Sequence, residues 1–249
     1  MSLEDKVVLV TGAGSGIGQA IAKQFGRRGA SVVVADIDQA AAIGTTRQLE
    51  GNAVACAADV SDDDAVAAMV RTAIERFGGF DCGVNNAGIA PEAKAFTDHS
   101  LAEWQRTIDV DLTGVFLCMQ HELRQFAAQG RGGAIVNIAS AAAVVAAPGQ
   151  PQYTAAKHGV LGLTKQAAQE FAGAGVRVNA VLPGQTETDP MRAYLDALPD
   201  GGERMLRRLP MGRMATADEI AHTVVWLCSD EAAYVNGVSL LVDGGLIAR

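Results

Sequence analysis

The chain is poor in the residues that would commit it to a metal, a disulfide framework or a membrane. It has four cysteines and four histidines in 249 residues. Cys56, Cys82, Cys118 and Cys228 are far apart, have apolar neighbours and form no CxxC pair; His99, His121, His158 and His222 show no ligand spacing. Neither a zinc site nor a set of disulfides is indicated, so no metal is expected and the cysteines read as buried free thiols. No apolar run approaches the ~20 residues of a membrane span. The start, Met1-Ser-Leu-Glu-Asp-Lys6, lacks the charged opening and long apolar segment of a secretory signal, and the expected location is the cytoplasm. Basic residues are outnumbered, 20 Lys and Arg against 28 Asp and Glu, and the net charge is -8. With no basic stripe, neither nucleic acid nor an anionic membrane surface is an expected partner.

Apolar residues make up 49% of the chain, and they fall in short runs that alternate with helical patterns. Expected strands are 6–11, 31–35, 53–57, 80–84, 134–139, 176–181 and 238–242. Expected helices are 16–28, 39–49, 64–77, 101–128, 152–172 and 217–229. Continuous apolar strands between helices mean a parallel sheet covered on both faces. The expected fold is α/β: one doubly wound parallel sheet over residues 1–249, with helices on both faces and no internal linker or repeat. The segment at about 184–213 breaks the rhythm, with Pro190, Pro199 and Pro210. Its Met191, Tyr194, Leu195, Leu198, Met205 and Leu206 suit a lid that packs on something apolar, or an oligomer contact.

Thr11-Gly12-Ala13-Gly14-Ser15-Gly16-Ile17-Gly18 follows the first strand and opens the first helix. Glycines let the backbone approach a phosphate closely, and the following helix aims its N-terminus at it. That place in the chain points to a dinucleotide. Asp36 ends the second strand, where an acidic residue can hold the adenosine ribose hydroxyls and would repel a 2′-phosphate. Ser15 and Ile37 supply no cation to offset it, so NAD(H) is favoured over NADP(H). Asp36 or Asp38 could equally be an ordinary helix cap.

Tyr153 and Lys157, four apart on one helix, share a face. An ammonium beside a phenol favours the phenolate, which becomes a usable proton acceptor near neutral pH. Ser140, thirteen residues upstream of Tyr153, could hold the oxygen whose proton moves.

Taken in order, these segments resemble the short-chain dehydrogenase/reductase family over essentially the whole chain. Thr11-Gly12-x-x-x-Gly16-x-Gly18, Asn85-Asn86-Ala87-Gly88, Ser140, Tyr153-x-x-x-Lys157 and Pro183-Gly184-x-x-x-Thr188 are similar to its five motifs. The resemblance implies hydride transfer between a nicotinamide and an alcohol or carbonyl carbon. Tyr153 would be the general acid/base, Ser140 would steady the substrate oxygen, and Lys157 would bind the nicotinamide ribose and favour the phenolate. Gly12, Ser15, Gly16, Ile17 and Gly18 would cradle the cofactor, with Asp36 and Asn86 near the adenosine ribose and Asp59 and Val60 at the adenine. Tyr153, Lys157, the Thr186 backbone and Thr188 would hold the nicotinamide end. The family pattern has Asn at 111, a fourth catalytic member; here it is Asp111. The apolar C-terminal strand and tail resemble those of tetrameric members. The expected substrate is a neutral, largely apolar secondary alcohol or ketone, with Gln150 and Gln185 as the nearest polar candidates. The alternatives are a catalytically silent NAD(H)-binding regulator or scaffold on the same fold, and a dehydratase, epimerase or lyase using the same tyrosine.

Overall fold

The computed structural model describes residues 3–198 and 200–248. Met1, Ser2 and Pro199 of the segments named above lie outside them. Among the described residues nine strands form: β1 (Val7–Thr11), β2 (Ser31–Asp36), β3 (Ala53–Ala57), β4 (Cys82–Asn85), β5 (Gly133–Ile138), β6 (Val176–Pro183), β7 (Thr186–Glu187), β8 (Ala215–Thr216) and β9 (Ser239–Val242). Seven make one sheet in the order β3-β2-β1-β4-β5-β6-β9, and β7 pairs with β8 separately. Every pairing in the large sheet is parallel. The helices are α1 (Gly16–Gly26), α2 (Gln39–Thr46), α3 (Asp63–Phe77), α4 (Leu101–Ile108), α5 (Gly114–Gln129), α6 (Pro151–Phe171), α7 (Asp189–Asp196), α8 (Glu203–Leu206) and α9 (Ala217–Cys228).

Alternate residues of each strand serve opposite faces. Leu9 and Val33 point into the layer that holds Met69, Phe126 and Val160. Val8, Val10, Val32 and Val34 point into the other, with Ile21, Phe25, Ile220 and Val224. This two-sided burial is why the strands read as unbroken apolar runs. Chain order reverses between β1 and β4, so the connections after these strands part to opposite faces and leave a crevice at their C-terminal ends.

Three features depart from expectation. The span 101–128 is not one helix: α4 and α5 are joined by a π-helical turn, Asp109–Thr113, closed by the Gly114 N–H bonding to Asp109 O. Apolar residues at 108, 110, 112 and 115 run through it and hide the break from periodicity. The irregular segment carries β7, α7 and α8, with the β7 partner β8 just after it, and within it Leu195 is buried while Tyr194 and Met211 are exposed. Of the four cysteines, all free, Cys56 is only half-buried.

Phe25 fills the layer between β1, β2 and α9 without measurable exposure. Phe25→Ala is expected to cost about 3–5 kcal/mol of unfolding free energy, read from urea denaturation. A loss below ~1 kcal/mol would mean that this layer repacks.

Candidate active site

The glycine turn after β1 is held in shape from β4. Asn86 Nδ2 donates to Thr11 O and to Gly12 O, each at 3.0 Å. The Thr11 hydroxyl accepts from the backbone N–H groups of Asn86 at 3.0 Å and Ala87 at 3.1 Å. Gly12 has φ 60°, and a Cβ there would sit 2.8 Å from Ala87 Cα. A Cβ on Gly18 would overlap Gly12 O, so Gly18 lets the helix start lie against the turn. Gly14 N–H donates to Asp36 Oδ2 at 2.8 Å and Asp38 N–H to Asp36 Oδ1 at 3.0 Å. The cap of α2 is Asp38, which accepts from Ala40 and Ala41. Asp36 is therefore no cap. It closes the end of β2 against the turn, each oxygen keeping a lone pair for a ligand.

This turn borders a cleft of about 880 Å³. Of the residues expected to bind a cofactor, Gly12, Ser15, Gly16, Ile17, Asp36, Asp59, Val60, Asn86 and Thr188 line it. A Cβ on Gly16 would point across it, 3.4 Å from Thr188 Cγ2. Gly18, Tyr153, Lys157 and Thr186 do not line it. Thr186 is buried in β7 and donates its hydroxyl to Gly184 O at 3.2 Å. The Asn86 amide is spent on the turn, and Asp59 Oδ1 on the Ser61 N–H and hydroxyl. Sequence reasoning misses the opposite wall, Gln105, Arg106, Asp109 and Val110 on α4 and the π turn. Nothing in a helix about 70 residues beyond Asp36 marks it as facing that strand.

Tyr153, Lys157 and Asp111 come together beside this cleft. Lys157 Nζ lies 5.5 Å from the Tyr153 ring centroid and 3.4 Å from Asp111 Oδ2, and it donates to Ile138 O at 3.3 Å. Gly88, in the cleft wall, backs onto the pair: a Cβ there would be 3.3 Å from Lys157 Nζ and 3.4 Å from Asp111 Oδ2. The π turn directs Asp111 inward, where it is 0% exposed and accepts the Ile89 N–H at 2.8 Å. Burial pushes its carboxyl above the usual range, and the Lys157 ammonium and the Ile89 N–H oppose that. Burial alone would lower Lys157, but Asp111 and Tyr153 outweigh it and hold the ammonium up. The two shifts pull the pair's proton in opposite senses. The contacts favour the ionised form, because each charge has its partner and a backbone hydrogen bond. Ser140 starts a short 3-10 turn, Ala141–Ala143, and its Oγ accepts the Ala142 N–H at 3.1 Å. Gln150 Nε2 donates to Pro91 O at 2.5 Å. Among the described residues no group of His, Cys, Asp and Glu could hold a metal ion, and no helix is long and apolar enough to cross a membrane.

Comparison with known proteins gives this arrangement its family. The short-chain alcohol dehydrogenase family model described as enoyl-(acyl carrier protein) reductase matches residues 12–247. Cis-4-hydroxycyclohexanecarboxylate dehydrogenase of Sinomonas cyclohexanicum is 43% identical over 98% of this chain and 97% of its own. L-rhamnose 1-dehydrogenase (NAD(P)(+)) of Azotobacter vinelandii is 41% identical over 100% and 99%. The crystal structure of levodione reductase superposes with a TM-score of 0.90 at 36% identity, covering 99% of both chains. With the motifs in order along the chain and their residues gathered at one strand-end crevice, the chain belongs to the short-chain dehydrogenase/reductase family of oxidoreductases.

Proposed function

We propose that the protein is an NAD(H)-dependent alcohol dehydrogenase or carbonyl reductase acting on a neutral, largely apolar secondary alcohol or its ketone. The observation that carries this reading is the buried Lys157 ammonium, held 5.5 Å from the Tyr153 ring at the edge of a dinucleotide-sized cleft. A silent NAD(H)-binding protein would have no use for a buried charge pair aimed at one phenol, since burying two charges is costly.

The cleft fits a nicotinamide dinucleotide: its glycine turn leaves backbone where any side chain would collide, and α1 starts there with no acidic residue in its first turn. Gly12, Ser15, Gly16 and Ile17 would hold the phosphates, Asp36 the adenosine ribose, Asp59 and Val60 the adenine, and Thr188 the nicotinamide end. When bound, the nicotinamide supplies the carbon that exchanges hydride with the substrate. The side chains manage the proton. Tyr153 takes it from the alcohol oxygen, Ser140 donates a hydrogen bond to that oxygen, and Lys157 stabilises the phenolate. Its positive field reaches the phenol at short range, with Nζ 5.5 Å from the ring centroid. Asp111 keeps Lys157 charged and subtracts part of that field. NAD(H) rather than NADP(H) is proposed from Asp36, because Gly14 N–H and Asp38 N–H orient its carboxylate at the ribose end with no neighbouring cation on the turn.

The segment at about 184–213 is proposed as the substrate lid of a single catalytic domain, its exposed Tyr194 and Met211 being the apolar contacts on offer. A cyclic substrate agrees with the hydroxycyclohexanecarboxylate enzyme being a relative. Exposed Phe116 on α5 and Leu241 on β9 offer apolar contacts for a homotetramer. Free thiols throughout suit a reducing cytoplasm.

The direct test is NADH formation at 340 nm with a panel of cyclic and open-chain secondary alcohols; no turnover with any of them would sink the proposal. Tyr153→Phe is expected to lower kcat at least about a hundredfold while NADH binding stays within a few-fold. Near-normal kcat in that variant would remove Tyr153 from the chemistry. Asp36→Ala should narrow the kcat/KM preference for NAD over NADP by on the order of tenfold; a wild-type preference for NADP would overturn the role of Asp36. Asp111→Asn removes a negative charge beside Lys157, so the ammonium acts on the phenol unopposed and the rising limb of kcat/KM for oxidation should move to lower pH. An unmoved limb would mean that Asp111 carries no charge there.

A further inference from the structure

Beneath the site lies a buried polar cluster that the mechanism does not use. Glu122, on α5, is 0% exposed. Its Oε2 accepts from Asn85 Nδ2 at 3.0 Å, and the same Nδ2 donates to Asn137 Oδ1 at 3.0 Å. Asn137 Nδ2 donates to Thr164 Oγ1 at 2.9 Å and contacts Met119 Sδ at 3.3 Å. Thr164 Oγ1 donates to Val160 O at 2.8 Å. Every donor in the set is committed. Two buried acceptors, Glu122 Oε1 and Asn85 Oδ1, have no partner. A Cβ on Gly83 would overlap Glu122 Oε1, so the carboxyl is pressed against the backbone of β4.

An ionised carboxylate here would face no countercharge among the described residues. Only burial and the Asn85 hydrogen bond act appreciably on Glu122. The ionisable groups that feel it are the thiols of Cys118, one turn back on α5, and Cys228, at the end of α9, both themselves pushed well up. Arg177 acts on Cys228, not on Glu122. A closed cluster with two acceptors too many and no cation is satisfied by a proton.

We propose that Glu122 is a positioning residue carried as the neutral acid, whose carboxyl proton completes the hydrogen-bond set joining α5, β4 and β5 beneath the candidate site. The set sits where it can matter. Asn85 precedes Asn86, which grips the glycine turn, and Asn137 is three residues before Ser140 on the same strand end. Ionisation would leave an uncompensated charge in this set and loosen both strand ends.

Burial pushes Glu122 up to about 7 from its ordinary 4.5. Between those values the folded protein binds the extra proton, so this contribution to stability is present below about 4.5 and is lost as pH rises to about 7. Glu122→Gln keeps the shape and supplies a donor that does not titrate. In urea unfolding from pH 4.5 to 8.5, the variant should gain on wild type as pH rises to about 7, then hold level; parallel curves would overturn the neutral-acid assignment. Infrared spectra of wild type with ¹³C-labelled glutamate decide even if the variant fails to fold. A protonated glutamate band at pH 6 that is gone by pH 8.5 is expected, and its absence at pH 6 overturns the proposal. For the positioning role, NADH affinity of wild type should weaken a few-fold between pH 6 and pH 8, and that of Glu122→Gln should not. The same limb in both proteins would show that Glu122 does not support the site.

Discussion

A parallel sheet covered on both faces can offer chemistry only at its strand ends, and that constraint organises the whole molecule. Helices on either side exclude water from β1, β2, β4, β5 and β6, so a polar side chain in mid-strand must find its partners within the protein, as Asn179 does with Val235 O and the Val238 N–H. The glycine turn, Asp36, Asn86, Ser140 and the segment carrying Thr188 all follow the carboxyl ends of strands. Tyr153, Lys157 and Asp111 are helical, and they reach the same edge because α6 and the π turn pass beside it. The reversal between β1 and β4 opens the edge into a cleft, so one topological fact sets the place of the site.

Within that edge, electrostatics decides the detail. The Lys157 ammonium is almost wholly out of water and would be unstable alone. Asp111 at 3.4 Å makes it tolerable, and the π turn is the device that brings the carboxylate inward. Such turns insert one residue into a helix and often occur at functional positions. An asparagine at 111 could supply a hydrogen bond but no charge. The aspartate therefore makes this ammonium harder to discharge, and the phenol beside it sees a weaker positive field.

The order of elements was legible in the sequence because two-sided burial writes each strand as an apolar run and each surface helix as a 3.6-residue pattern. The candidate site residues stood out for a second reason: five short motifs in order at suitable spacing are far more specific than any one of them. The π turn was not, because Ile108, Val110 and Leu112 continue the apolar pattern through it. Nor was the α4 wall of the cleft, since Gln105 and Arg106 look like any solvated helix face. Glu122 escaped notice because a lone acid in His121-Glu122-Leu123 reads as surface until its burial is seen. Asp36 and Asp38 were two equal candidates for one helix cap, and the hydrogen bonds separated them.

The clasp between Asn86 and the first loop also bears on how such a chain can change over generations. Two segments more than 70 residues apart share one set of hydrogen bonds: the Thr11 hydroxyl serves the backbone of Asn86 and Ala87, and the Asn86 amide serves Thr11 and Gly12 in return. Each segment braces the other. A recombination that exchanged residues 11–18 alone would leave the amide aimed at carbonyls that had moved. The heritable unit of this half of the site is therefore a pair of distant loops, free to vary in what surrounds them but bound to be inherited together.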